Sequence, residues 1–150
     1  MLINRILKWG YNNPKKLFLI DGCGAILSAI ILGIIMPQFV TLFGIPKSTL
    51  YFLATLPCLF AIYDFYCYFK INKNFKKYIK AIAYVNIIYC CLSILLAIHH
   101  IQVITNLGWV YIIIEILIVF MLAMIEIHAL KEKREQLQET MKKLEAETKK

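Results

Sequence analysis

Long apolar stretches alternate with short runs of cations along this chain. From Gly22 to Pro46 there is no Asp, Glu, Lys or Arg, and from Ala81 to Ile114 there is again none. About 20 apolar residues rising about 1.5 Å each are enough to cross the hydrocarbon of a bilayer. Turn signals divide the apolar sequence into four such segments. The first covers about 17–36 and ends near Pro37. The second, about 49–69, follows a turn around Gly44, Pro46 and Lys47. The third is about 78–98, and the fourth, about 107–130, follows a polar turn of His99, His100, Gln102, Thr105, Asn106 and Gly108. The runs are continuous in Ile and Leu and do not alternate, so they do not read as barrel strands. The pattern predicts an all-α membrane protein, a bundle of four transmembrane helices in residues 1–130, followed by a charged tail at 131–150.

The cations give this bundle a direction. Arg5, Lys8, Lys15 and Lys16 precede the first segment, and Lys70, Lys73, Lys76, Lys77 and Lys80 surround the second connection. Lys131, Lys133, Arg134, Lys142, Lys143, Lys149 and Lys150 follow the fourth segment. Only Lys47 falls in the first connection, and the third has no Lys or Arg. Short loops rich in Lys and Arg stay in the cytoplasm. Both termini are therefore expected inside, with the chain multi-pass in a cell inner membrane. Leu2, Ile3, Ile6, Leu7 and Trp9 recur at helical spacing, as a short amphipathic helix at the membrane surface would require. In the tail, Leu130, Leu137 and Leu144 repeat every seven residues. That spacing fits either a short coiled coil continuing the fourth span into the cytoplasm or a solvated single helix.

Composition agrees with a lipid environment: 61% of residues are hydrophobic and 17% charged, against about 45–50% and about a quarter in soluble domains. The net charge of +8 lies in collars around the helix ends. Such collars fit a bilayer with anionic headgroups as partner and do not make a nucleic-acid surface. Cys23, Cys58, Cys67, Cys90 and Cys91 all fall inside the apolar segments, without a C-x-x-C pair, and read as small apolar side chains. The adjacent His99 and His100 read as interfacial. No metal motif, cofactor motif, phosphate loop or nucleophile–base pair appears, which argues against an enzyme, a metal site or a cofactor.

The carboxylates carry the most specific signal. Outside the tail there are four, Asp21, Asp64, Glu115 and Glu126, and each lies within a span. An acid at the bilayer centre costs about 2.5–3.5 kcal/mol, so it normally faces the protein interior and finds a partner. Counted from the flanking lysines, Asp21 and Glu126 lie about 7.5 Å in, and Asp64 and Asn86 about 9 Å in. One polar group from each helix thus falls in one slab of the inner leaflet. Asp21, Asp64, Asn86 and Glu126 form the candidate cluster. In one reading they pair with Lys15, Lys16, Lys77 or Lys80 reaching inward and only fix register. In the other they line a cavity for a proton, a cation or a polar headgroup. Glu115 lies about 24 Å from the boundary at Lys131, and Thr55 and Ser93, at similar depth, are its candidate hydrogen-bond partners. Gly22, Ala25, Ala29 and Gly33 form a small-residue stripe on the first span, suited to close helix contact.

Three stretches, Leu17-Phe18-Leu19-Ile20-Asp21-Gly22, Leu56 to Cys67 (LPCLFAIYDFYC) and Asn86-Ile87-Ile88-Tyr89-Cys90-Cys91, resemble those of small uncharacterised four-helix bacterial inner-membrane proteins. The resemblance covers about residues 16–128 and implies the four-span bundle and a bacterial inner membrane, but no activity. Two functions follow as expectations. The first is a membrane interaction or assembly component, engaging a second copy or another membrane protein. The alternative is a proton- or cation-coupled transporter or channel subunit using the intramembrane carboxylates, in which case an oligomer would be needed to enclose a pathway.

Overall fold

The computed structural model describes residues 13–70 and 75–148, and every regular element in them is helical. Helix α1 spans Pro14–Ile30 and runs on through a π turn at Ile31–Ile35 and a 3-10 turn at Met36–Gln38. The change of winding has a local cause. Pro37 has no N–H to give, and its ring excludes the carbonyl four residues back, so an undisturbed α-helical ladder cannot pass through it. A short helix α2, Val40–Phe43, leads to Gly44. Then come α3 at Lys47–Lys70, α4 at Phe75–His99 and α5 at Asn106–Thr148. Four segments, Lys15–Gln38, Lys47–Lys70, Lys76–His99 and Asn106–Lys131, are long and apolar enough to cross a membrane. The amphipathic helix expected at Leu2 to Trp9 lies outside the described residues.

These helices carry their apolar surface outward. Only 22–39% of the residues in the most apolar window of each span are buried, and Leu27, Ile34, Leu59, Ile62, Phe69, Ile88 and Leu95 are all exposed. In water such a surface would be costly, whereas against lipid tails it is matched. The chain is a multi-pass membrane protein. Helix α5 continues unbroken past Lys131 to Thr148, where Met141 and Leu144 are exposed and Lys143 pairs with Glu139 at 3.4 Å.

Helix α1 packs mainly on α3, and α4 on α5. The small-residue stripe serves the first of these contacts. A Cβ added at Gly22 would lie 3.1 Å from the Asp64 Cβ, and one at Gly33 would lie 3.3 Å from the Ala54 Cβ. At the outer end the two connections are stitched together. Thr105 donates its hydroxyl to the Leu42 carbonyl at 2.7 Å and its N–H to the Phe43 carbonyl at 3.1 Å. Gly44 sits at φ 72°, in the left-handed region that favours glycine, and gives its N–H to the Val40 carbonyl. Gly108, expected in the turn, lies within α5. It leaves room for the Phe43 carbonyl, which a side chain there would strike.

Candidate functional site

Each long helix contributes one polar residue to a single layer of the bundle. Asp21 comes from α1, Asp64 from α3, Asn86 from α4 and Glu126 from α5, and their exposures are 5%, 0%, 3% and 2%. The amide of Asn86 donates to both carboxyl oxygens of Asp21, at 3.2 and 3.1 Å. Asp64 is pressed against the backbone of Gly22, beside Asp21, and the carboxyl groups of Asp21, Asp64 and Glu126 act on one another electrostatically. Sequence depth and helical face together had grouped these four residues, and here they meet.

Apolar layers close this polar layer on both sides. One turn toward the lysines lie Leu17, Phe18, Cys67, Ile79, Ile82 and Ala129, a buried cluster. On the other side a larger cluster includes Leu32, Leu50, Leu53, Tyr89 and Ile112. In the register-only reading, lysines would reach in to neutralise these acids. Asp21 is held by Asn86, and Lys80 lies over the Tyr84 ring at 5.6 Å to its centroid. Among the described side chains none of these acids is in an ion pair.

The hydrogen-bond inventory of the layer does not balance. Carboxylate oxygens only accept, and Asn86 supplies the only side-chain N–H donors in the cluster, from one nitrogen that lies against both oxygens of Asp21. Neither oxygen of Asp64 has a partner, nor does Oε2 of Glu126. Between the carboxyl groups of Asp21 and Asp64 a hydrogen bond requires that one of them carry a proton. Buried polar groups without partners are rare, and each asks for an explanation such as a bound water, an ion or a functional proton. Among the described residues no group of three or more His, Cys, Asp or Glu side chains has a geometry that could hold a metal ion.

Glu115, 8% exposed, has a partner that the sequence did not identify. The hydroxyl of Tyr89 donates to Glu115 Oε1 at 2.7 Å. The expected partners behave differently. Thr55 is exposed and bonds its own helix at the Phe52 carbonyl, on the wall of an open apolar groove between α1 and α3. The reason is angular. Thr55 is nine residues from Asp64, about two and a half turns, so the two side chains point to opposite faces. Ser93 is buried and shares a cavity with Glu115, but its hydroxyl makes no hydrogen bond. Two signals were available for Tyr89. It lies one turn beyond Asn86 on a buried face, and a buried tyrosine hydroxyl usually finds a partner. Tyr111, one turn before Glu115, lines the same cavity.

Two small cavities flank this pair. One, of about 50 Å³, is lined by Asp21, Ser28, Pro57, Asn86 and Tyr89. The other, of about 20 Å³, lies toward the outer connections and is lined by Thr49, Ser93, His100, Tyr111 and Glu115. The five cysteines make no disulfide, and only Cys67 and Cys90 are buried. No protein-family model, curated protein or solved structure matches the chain. Its function is therefore argued from this geometry.

Proposed function

We propose that the protein is a transport or channel component that binds and releases a proton or a cation at the buried layer of Asp21, Asp64, Asn86 and Glu126. One observation carries the reading: Asp64 is fully enclosed with two carboxyl oxygens that no protein group satisfies. A structural bridge between helices would use its hydrogen-bonding groups, as the Asn86–Asp21 contact does. Vacant acceptors in a closed interior are what an exchangeable cation requires. The collars of lysine and arginine support an orientation with both termini in the cytoplasm. The acid layer then lies in the inner leaflet, with the outer connections on the far side.

The assembly reading keeps less support. The small-residue stripe that would have engaged a partner is occupied at Gly22 and Gly33 by α3 of the same chain. The test is flux from proteoliposomes. The wild-type chain, reconstituted with an internal pH dye or a cation reporter, is expected to dissipate an imposed gradient, and Asp64→Asn to slow this at least ten-fold. If the wild type dissipates no gradient, or Asp64→Asn runs at the wild-type rate, the proposal fails.

A further inference from the structure

The acid layer and Glu115 belong to one line of polar groups. Asp21 and Asn86 open onto the cavity of about 50 Å³, and Tyr89 forms part of its wall. The Tyr89 hydroxyl donates to Glu115 at 2.7 Å. Glu115 then lines the cavity of about 20 Å³ together with Ser93 and His100, and this cavity reaches Ile104 at the outer connection. The hydroxyl of Ser93, buried and without a protein partner, faces the same space. We propose that the chain conducts protons rather than metal cations along this line, with the Tyr89 phenol as the relay between two water-holding cavities. This rests on the acid layer being an exchange site.

Size argues for the proton. A void needs about 10–15 Å³ to hold one water, whose share of the liquid is about 30 Å³. The outer cavity, of about 20 Å³, therefore takes one water and the inner, of about 50 Å³, a few, too little for a metal cation with a full hydration shell. The O–H···O bond from Tyr89 to Glu115 links the wall of one cavity to the lining of the other. A proton crosses such a link by exchange. Protonated Asp21 gives its proton to water in the inner cavity, which passes one of its own to the Tyr89 oxygen as the phenol's hydrogen moves to the Glu115 carboxylate at Oε1; the water ends as it began and Asp21 is left as a carboxylate. The phenol ends with one hydrogen, as it began, and Glu115 gains one. Glu115 then releases a proton to the water beside Ser93. Tyr111 and His100 are the other titratable groups on that cavity, and Asp64 and Glu126 are those beyond Asp21.

The experiment uses the full chain in liposomes with an internal pH dye, valinomycin and K⁺ clamping the potential. The wild-type rate is expected to persist when Na⁺ is exchanged for choline. Tyr89→Phe keeps the ring and removes the exchangeable hydrogen, and should slow the rate at least ten-fold with its melting temperature within a few degrees of wild type. Glu115→Gln should do the same, and carries the test if Tyr89→Phe does not fold. A wild-type rate in the folded variants, with Asp64→Asn silent, overturns the relay and leaves the acid layer's role standing. A response that requires Na⁺ overturns the proton assignment alone. A wild-type chain that passes nothing overturns both.

Discussion

Replacing Asp64 by asparagine should make the protein more stable, although it removes an ionisable group from a fully enclosed site in the core. Asp64 is 0% exposed and neither of its oxygens has a donor. A buried polar group left unsatisfied costs about 1–3 kcal/mol, and a hydrogen bond formed returns about 0.5–1.5 kcal/mol. The asparagine side chain has nearly the same shape, so it leaves no void and does not push Gly22 away. It brings two N–H donors into a layer where Asp21, Glu126 and the Asn86 carbonyl are acceptors. One satisfied N–H and one fewer vacant acceptor together give a net gain of about 1–2 kcal/mol. For a chain of this length that corresponds to a rise in Tm of about 2–8 °C.

Circular dichroism of the helix signal during heating, in one detergent and at one protein concentration, measures this shift. The reasoning is refuted if Tm falls. A fall would mean that Asp64 already has donors and that the asparagine has displaced them. The combination expected here, a more stable protein with lost flux, is the signature of a site held in strain for function.

Two further outcomes test the frame around the site. Gly44→Ala should lower stability by more than about 2 kcal/mol, because the left-handed conformation alone costs a non-glycine residue about 1–2 kcal/mol and the new Cβ would also meet the Val103 carbonyl; an unchanged melting curve would show that the outer connections are not locked as described. A fluorescent protein that matures only in the cytoplasm, fused after Lys150, should glow, and a phosphatase active only outside, fused at the same point, should stay silent; the reverse pattern would invert the bundle and place the acid layer in the outer leaflet.

The spans were legible because charge is so costly in hydrocarbon that its absence marks them. The observed Lys15–Gln38, Lys47–Lys70, Lys76–His99 and Asn106–Lys131 begin and end at the cations and polar turns that the sequence displays. The acid layer was legible for the same reason: depth counted from lysines and the period of 3.6 residues together locate a side chain in a helical bundle. Depth without face misleads, as Thr55 shows. It lies at the level of Glu115 yet turns to the lipid groove. Tyr89 was missed for another reason. In an apolar run a tyrosine reads as one more large side chain, and its role appears only when α4 is set against α5 and the hydroxyl meets Glu115. The stitching of the outer connections by Thr105 depends on contacts 63 residues apart, which no local pattern specifies.

Why acids occupy this interior, and not amides, is the question on which the functional reading turns. An acid at the centre of a span costs about 2.5–3.5 kcal/mol to insert, so four within spans cost at most about 10–14 kcal/mol, to be set against about 5–15 kcal/mol for the whole stability of a small domain. Asparagine, glutamine or serine would bridge helices at lower cost and, having donors as well as acceptors, would satisfy one another. Asn86 does so already toward Asp21. What an amide cannot do is take up a proton and let it go. The layer pairs its single amide with one acid and leaves Asp64 and an oxygen of Glu126 unanswered, so its chemistry is poorer as glue than it needs to be and suited to exchange. Glu115 repeats the choice farther out, where Tyr89, a donor that can also accept, is its partner. On the proposed reading, the acids and the phenol can each give and take a proton, which a path for protons requires.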